Sequence, residues 1–599
     1  MFLIILILVV IPNVQMQLSD DGHSYEEKLR QFEKDVATHL FKIPTFNPTP
    51  IKDLEKAIKD VMVDDFLKST GDKVLCGTCM TVIWKIQNGI LNLRFLLDVI
   101  CNLYITMTTL TRTDFCSKFL DLHIDLLKRI VETSEILDPE LACTVLLYNS
   151  DCFYEKEALS WSMETPAALK TQPLKLDDQY NDRPLKILYL TDFHVTMDYE
   201  PSGIADCGYP VCCKQNLGNS WIKKKDAGFW GDYRNCDTPY YMMEDTFQYI
   251  NATFKDIDFI YFTGDIIDHT VWDTSIESNS RIIEYVYNQM SQAFPEKLIL
   301  PVIGNHESTP VNVFAPKYIT EEKYSQQWLY SLLGNLWSRW LPSQAVDTVK
   351  NFGYYSYLLN DRLKIIALHN NVCYMYNWWI FYDTRFMMDQ LKWLADELVE
   401  AENKGQFVHI IGHVAPGNKE CIQPWEKQFY SLVSRFRHII KGQFFGHTHT
   451  DELKVYFEDD MKPFSVGFNG ASLTPFAKFN PNFKVVTLNS SNYEVIDCDT
   501  YIFNLTEANL MPKTSPRWFK LYSLKQNYNL ADLSPQTLGD LSLRLFQDNE
   551  LIHQYFRYYV RDGDASLKDG CDSSCKNELA CKVATTISLQ SPVEHCNEM

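Results

Sequence analysis

The chain has 599 residues, is 46% apolar and 22% charged, and carries a net charge of −21. At about 150 residues per domain, that length predicts several domains or one large enzyme unit with additions, and the composition excludes a mainly disordered chain. An acidic balance spread over the whole length argues against a nucleic-acid binder, which would carry a basic face, but leaves apolar contact with lipid open.

In chain order, Phe2 to Ile11 form an unbroken apolar run closed by Pro12. Ten residues fall short of the roughly 20 that a membrane-spanning helix needs but fit a signal-peptide core, so residues 1–19 are read as a signal and 20–71 as a polar lead-in. No later segment runs 18 residues without a charged or strongly polar interruption. Seventeen cysteines suit an oxidising compartment, and acceptor sequons at Asn251, Asn489 and Asn504 suit the same route. The expected destination is the secretory pathway, with the protein secreted and/or lysosomal.

Residues 72–156 hold six cysteines among helix-period apolar stretches such as Val82–Ile90 and Leu93–Leu103. Cys76 and Cys79 are three apart, share one helix face and can both bond to a partner helix. Cys143 and Cys152 supply that partner, leaving Cys101 and Cys116 to close the middle: a small helical module stapled by three disulfides. Residues 157–184, with Pro166, Pro173 and Pro184, read as a linker.

From 185 the pattern changes to short, wholly apolar strands, each ending in metal-competent residues. Ile187–Thr191 precedes Asp192-Phe193-His194; Phe259–Thr263 precedes Gly264-Asp265; Leu298–Ile303 precedes Gly304-Asn305-His306-Glu307; Phe407–Ile411 precedes Gly412-His413; and Phe444-Phe445 precedes Gly446-His447-Thr448-His449. Runs apolar at every residue predict strands buried on both faces of a layered α/β core, with stretches such as Met387–Glu402 as outer helices. Residues 185–510 are read as this catalytic domain. Residues 511–599, with Cys571, Cys575, Cys581 and Cys596, are read as a C-terminal helical, disulfide-bonded region capping it.

Glycine at these strand ends permits tight turning into a shared crevice. Asp192-x-His194 and His447-x-His449 each put two ligands on one side of an extended chain. Asp265 can offer an oxygen to each of two ions, Asn305 adds a neutral carbonyl and His413 another imidazole. Seven ligands of mixed oxygen and nitrogen character suit two divalent ions sharing one bridge. His369 and His409, within strand-like runs, read as structural, and His438, in a helical basic stretch, as surface.

The set DFH, GDIIDH, GNHE, GHV and GHTH resembles the calcineurin-like metallophosphoesterase superfamily. The stretches Cys207-Gly-Tyr-Pro-Val-Cys212-Cys213, Gly304-Asn-His-Glu-Ser-Thr-Pro-Val-Asn312, Val408-His-Ile-Ile-Gly-His413, Gln443-Phe-Phe-Gly-His-Thr-His449 and Asn504-Leu-Thr-Glu-Ala-Asn509 narrow it to the acid sphingomyelinase family. There, 72–156 resembles that family's saposin B-type domain. The resemblance implies a metallophosphoesterase fold, a layered β-sandwich core flanked by helices, behind an N-terminal all-α domain. It implies two Zn2+, one held by Asp192, His194, Asp265 and His449, the other by Asp265, Asn305, His413 and His447. It implies disulfides Cys76–Cys152, Cys79–Cys143, Cys101–Cys116, Cys207–Cys212, Cys213–Cys236, Cys373–Cys421, Cys571–Cys575 and Cys581–Cys596, with Cys498 left over.

The implied activity is zinc-dependent hydrolysis of sphingomyelin to ceramide and phosphocholine, in sphingolipid catabolism. In such a site two metals would supply an activated water as the nucleophile toward phosphorus. The departing ceramide alkoxide is strongly basic, and the resemblance gives His269 and His306 the roles of proton donor and charge stabiliser without separating them. The expected partner is sphingomyelin in membranes or lipoproteins, met by a monomer that docks peripherally through its saposin-like helices, without nucleic acid. The alternatives are a superfamily phosphodiesterase acting on nucleotides or other soluble phosphate esters, and a non-catalytic lipid-binding protein.

Overall fold

A computed structural model describes residues 71–596 except 108–109, 111, 113, 148–151, 153, 168–182, 218–225, 418–419, 569, 589 and 595. The signal and almost all of the lead-in, 1–70, and residues 597–599 therefore lie outside the described residues, as does most of the linker. The chain divides into two compact units, the first of residues up to Ala158 with Gly208–Pro210 and Phe381–Asp383, the second of the rest.

Among the described residues the first unit has four α-helices, Gly71–Gln87, Leu93–Met107, Asp114–Thr133 and Pro139–Leu146. In the third, Phe115, Phe119, His123, Leu126 and Ile130 are buried, each three or four residues from the last, a stripe that makes the helix amphipathic. The fourth starts on an Asp138 cap, whose side chain accepts from the Leu141 amide, followed by Pro139 at the first helical position. Disulfides Cys76–Cys152, Cys79–Cys143 and Cys101–Cys116 tie these helices. One expectation is corrected: Cys152 lies past the fourth helix, in non-helical chain, so Cys76 and Cys79 do not share a single partner helix. Trp84 and Ile90 stand about half exposed, unlike the other large apolar side chains described in this unit.

The second unit is a sandwich of two six-stranded sheets. Its strands are β1 (Leu185–Leu190), β2 (Val195–Thr196), β3 (Thr238–Pro239), β4 (Phe259–Phe262), β5 (Leu298–Pro301), β6 (Tyr355–Asn360) and β7 (Leu363–Ala367). The rest are β8 (Phe407–Ile411), β9 (Ile440–Phe445), β10 (Leu453–Phe457), β11 (Pro463–Asn469), β12 (Asn482–Leu488), β13 (Val495–Ile502) and β14 (Phe519–Ser523). One sheet runs β14-β13-β12-β1-β4-β5, with β1, β4 and β5 parallel; the other runs β10-β11-β9-β8-β7-β6, with β7, β8, β9 and β11 parallel. Every residue of β4, β7, β8 and β10 is buried, as strands covered on both faces require.

The sheets meet over large aromatic side chains. Tyr189 donates to the Phe445 carbonyl and packs edge-on against Phe444, and Tyr261 packs on Phe444 and bonds His409 Nδ1 at 2.8 Å. His409 Nε2 is engaged by the Tyr493 carbonyl, so this histidine is structural, and burial lowers its pKa to about 4. His369 is likewise buried and bonded, to Tyr330 and Asn371. His438 is half exposed as read, but sits in a turn beyond the Gln423–Arg435 helix, against Glu402.

Two boundaries differ from expectation. Strand β14 pairs with β13 and completes the first sheet, so the catalytic fold continues past residue 510. Beyond it the helices Pro535–Leu545 and Ser573–Ala584 pack on the second sheet, as a cap would. The described start of the linker is not free chain: Trp161 is buried, Met163 donates to Gln428, and Arg435 donates to the Pro166 and Ala167 carbonyls. The remaining disulfides are Cys207–Cys212, Cys213–Cys236, Cys373–Cys421, Cys571–Cys575 and Cys581–Cys596, while Cys498 is free and buried on β13.

Candidate metal centre and active site

The turns after β1, β4, β5, β8 and β9 converge at one end of the sandwich. Phe193 is buried against Phe262 and Phe247, which anchors the Asp192-Phe193-His194 turn. The turn is zipped to the next one: the amides of Asp192, Phe193 and His194 donate to the carbonyls of Gly264 and Asp265. The expectation that Asp192-x-His194 and His447-x-His449 are extended chain is corrected. Asp192, His194, Asp265, His447 and His449 all have φ between 44° and 78°. That left-handed region is strained for residues with a Cβ, and such residues cluster where a site over-determines them.

Glycine serves close approach more than turning. Gly264 has φ +93°, but a Cβ on Gly304 would lie 2.0 Å from Asp265 Oδ1, and one on Gly446 would lie 2.2 Å from Thr191 Oγ1 and 2.6 Å from Asp192 Oδ2.

All seven residues expected as ligands come together, none more than 3% exposed. Asp192, His194, Asp265 and His449 form one cluster, with candidate ligand atoms within 4.8 Å of one another; Asp265, His413 and His447 form a second. Asp265 is common to both. Its Oδ2 lies 3.5 Å from His194 Nε2 and 3.2 Å from His413 Nε2, while its Oδ1 accepts the His306 amide. Asn305 joins the second cluster through Oδ1, 2.8 Å from both His413 Nε2 and His447 Nδ1; its Nδ2 is held by Asn312 Oδ1, which turns the carbonyl oxygen inward.

The arrangement fits a divalent cation in each cluster. His194 Nδ1 faces the Ile267 carbonyl and His413 Nδ1 the Thr263 carbonyl, which fixes protons there and leaves both Nε2 lone pairs facing carboxylate oxygen. His194 Nε2 also lies 2.9 Å from His449 Nε2. Lone pairs and carboxylates so crowded away from water need positive charge between them. Burial alone would lower the pKa of His413, but Asp265 and Asp192 outweigh it and raise it to about 9; a bound cation would supply that charge instead.

His269 and His306 flank the clusters with ring centroids 4.7 Å apart. His269 Nδ1 bonds Asp237 Oδ1 at 2.8 Å, its ring stacks on Phe476, and its buried Nε2 has no hydrogen-bond partner among the described residues. Together with His194 and His449 it forms a third possible ligand group, which sequence reading did not assign. Burial and neighbouring imidazoles hold His306 well below the ordinary histidine pKa against the pull of Asp265.

Several supporting residues had escaped the sequence. Asp237 holds His269, and Thr474 Oγ1 donates to Asp237 in turn. Asn370 Oδ1 accepts the His413 amide. Glu307, the last residue of GNHE, accepts the Ile266 amide through Oε1, and burial beside Asp265 pushes its carboxyl up to about 8. Only Glu307 and Asn312 lay inside motifs; Asp237 and Asn370 carry no local signal.

Fold and site define a metallophosphoesterase. Residues 185–451 match the calcineurin-like phosphoesterase family, and residues 469–594 match the acid sphingomyelin phosphodiesterase C-terminal region. The chain is 33% identical to sphingomyelin phosphodiesterase of Bos taurus over 458 residues, 75% of this chain and 72% of that one. It is 30% identical to sphingomyelin phosphodiesterase 1 of Caenorhabditis elegans over 496 residues, 81% and 85% of the two chains. Cyclic GMP-AMP phosphodiesterase SMPDL3A of Homo sapiens is 27% identical over 412 residues, 66% and 86%. The chain belongs to the sphingomyelin phosphodiesterase family.

Proposed function

We propose that this protein hydrolyses sphingomyelin to ceramide and phosphocholine, with two zinc ions held by Asp192, His194, Asp265 and His449 and by Asp265, Asn305, His413 and His447. The observation that carries the reading is the pair of buried Asp/His clusters sharing Asp265, in a chain of this family. When bound, two such ions supply an activated water and neutralise charge on the phosphoryl oxygens.

The chain's own residues do the rest. His269 donates the proton that the leaving alkoxide needs, from the Nε2 that the fold leaves unbonded. Asp237 holds its Nδ1 and so orients the ring, an arrangement suited to general acid catalysis worth about 10²–10⁴-fold. His306, held through its backbone by Asp265, stabilises charge on the phosphoryl group.

The saposin-like unit brings the site to its substrate in membranes or lipoproteins, with Trp84 and Ile90 as apolar contacts. No helix among the described residues is long and apolar enough to cross a membrane, and docking by a monomer is read as peripheral. The apolar leader, the eight disulfides and the three sequons support a glycosylated protein routed to the lysosome or outside the cell.

Phosphocholine release from sphingomyelin vesicles, at pH 5 and pH 7, with added zinc or with a chelator, tests the proposal. Release that the chelator abolishes supports both metal and substrate. Chelator-sensitive cleavage of a soluble phosphodiester without action on vesicles would instead favour the second reading, toward nucleotides or other soluble esters. The relative named for cyclic GMP-AMP keeps that reading in view, while the cysteine-stapled helical unit speaks against it.

A further inference from the structure

His447 presents Nδ1 to Asn305 and turns Nε2 the other way, where Glu420 Oε2 lies at 3.3 Å. We infer that Glu420 is a positioning residue for the second metal: its carboxylate accepts the Nε2 proton of His447 and so fixes the tautomer whose Nδ1 lone pair faces the ion. The inference rests on the metal-site reading above.

The backbone around Glu420 is built to hold it there. Tyr374 and Cys421 form an antiparallel bridge, the Met375 amide donates to the Glu420 carbonyl at 2.9 Å, and the Ile422 amide donates to the Cys373 carbonyl at 3.0 Å. The Cys373–Cys421 disulfide closes this clip across 48 residues of sequence. From the same clip the Tyr374 ring meets the His447 imidazole edge to face, with centroids 4.7 Å apart. The two strands of this clip thus support the ring and bond its outer nitrogen.

Two other imidazoles of the clusters gain their orientation differently. His194 and His413 each use a backbone carbonyl. On His447 a side-chain carboxylate takes that orienting place. The Glu420 side chain is 26% exposed, so its replacement opens no cavity in the core.

The test is zinc affinity of the full-length protein by chelator competition, with thermal denaturation as a check on folding, for wild type, Glu420→Ala and Glu420→Gln. Wild type should bind two zinc ions. Glu420→Ala should bind one of them about 10–100-fold more weakly and leave the other unchanged. Glu420→Gln retains an acceptor oxygen and should recover most of the loss. Two ions held equally well by wild type and Glu420→Ala would overturn the inference, as would Glu420→Gln binding as weakly as Glu420→Ala. Failure of wild type to bind zinc would overturn the underlying metal-site reading instead.

Discussion

His269 and Asp237 are joined twice, through Nδ1 to Oδ1 and through the His269 amide to Oδ2, both at 2.8 Å. Asp237 follows Cys236, whose disulfide to Cys213 fixes that loop, and it also accepts from Thr474. A buried carboxylate so placed orients the imidazole and sets its tautomer. Asp237→Asn should therefore lower kcat about 10²–10⁴-fold while metal content stays at the wild-type value. Metal analysis beside steady-state kinetics checks this; a loss of metal would make Asp237 structural.

If His269 is the proton donor, its importance should track the basicity of the leaving group. His269→Ala should lose at least about 100-fold on sphingomyelin but little on a chromogenic phosphodiester with a weakly basic phenolate. Equal losses on both would exclude proton donation. His306→Ala should impair both substrates, because charge on the phosphoryl group develops in either reaction.

Gly304→Ala tests the packing of the metal turns. Its Cβ would lie 2.0 Å from Asp265 Oδ1 and 2.2 Å from the Asp265 amide nitrogen. The shared carboxylate would have to move, so this variant should fold with much reduced metal content. Normal zinc stoichiometry and activity would show that the turn adjusts without loss.

Glu426 provides a pH dependence away from the metals. It accepts from the Gly417 and Ser588 amides, and burial, outweighing those bonds, pushes its carboxyl up to about 7 from the ordinary 4.5. A carboxyl whose pKa is raised by folding stabilises the protein while protonated, fully below about pH 4.5, and that contribution fades as pH rises through 7. Over that window the difference is on the order of 3 kcal/mol. The melting temperature should fall from pH 5 to pH 8, and Glu426→Gln should flatten the profile. An identical slope in the variant would assign it to other groups.

Removal of residues 72–156 should abolish activity on sphingomyelin vesicles and spare the soluble diester. Undiminished vesicle activity in the truncated chain would sink the docking role of the helical unit.

The chemistry was legible in the sequence because the ligands sit at or just past the ends of mainly apolar, buried strands, where the chain must turn. Asp192, Asp265, Asn305, His413, His447 and His449 could be read as strand ends from local pattern alone. The helical unit was legible from cysteine spacing and helix period. Strand β14 was not: Phe519–Ser523 alternates only weakly and lies among helices, and its place beside β13 is a long-range pairing that composition does not encode.

What the sequence determined by itself is the inventory: ligand types, their order, the glycines beside them and the stapled helical unit. What only the tertiary structure decided is which way each group faces. The left-handed turns at Asp192 and His447, the inward oxygen of Asn305 and the carboxylates of Asp237 and Glu420 on their histidines all arise from contacts between segments far apart in the chain. A side chain's protonation and direction depend on its neighbours in space, and one-dimensional spacing holds no record of those.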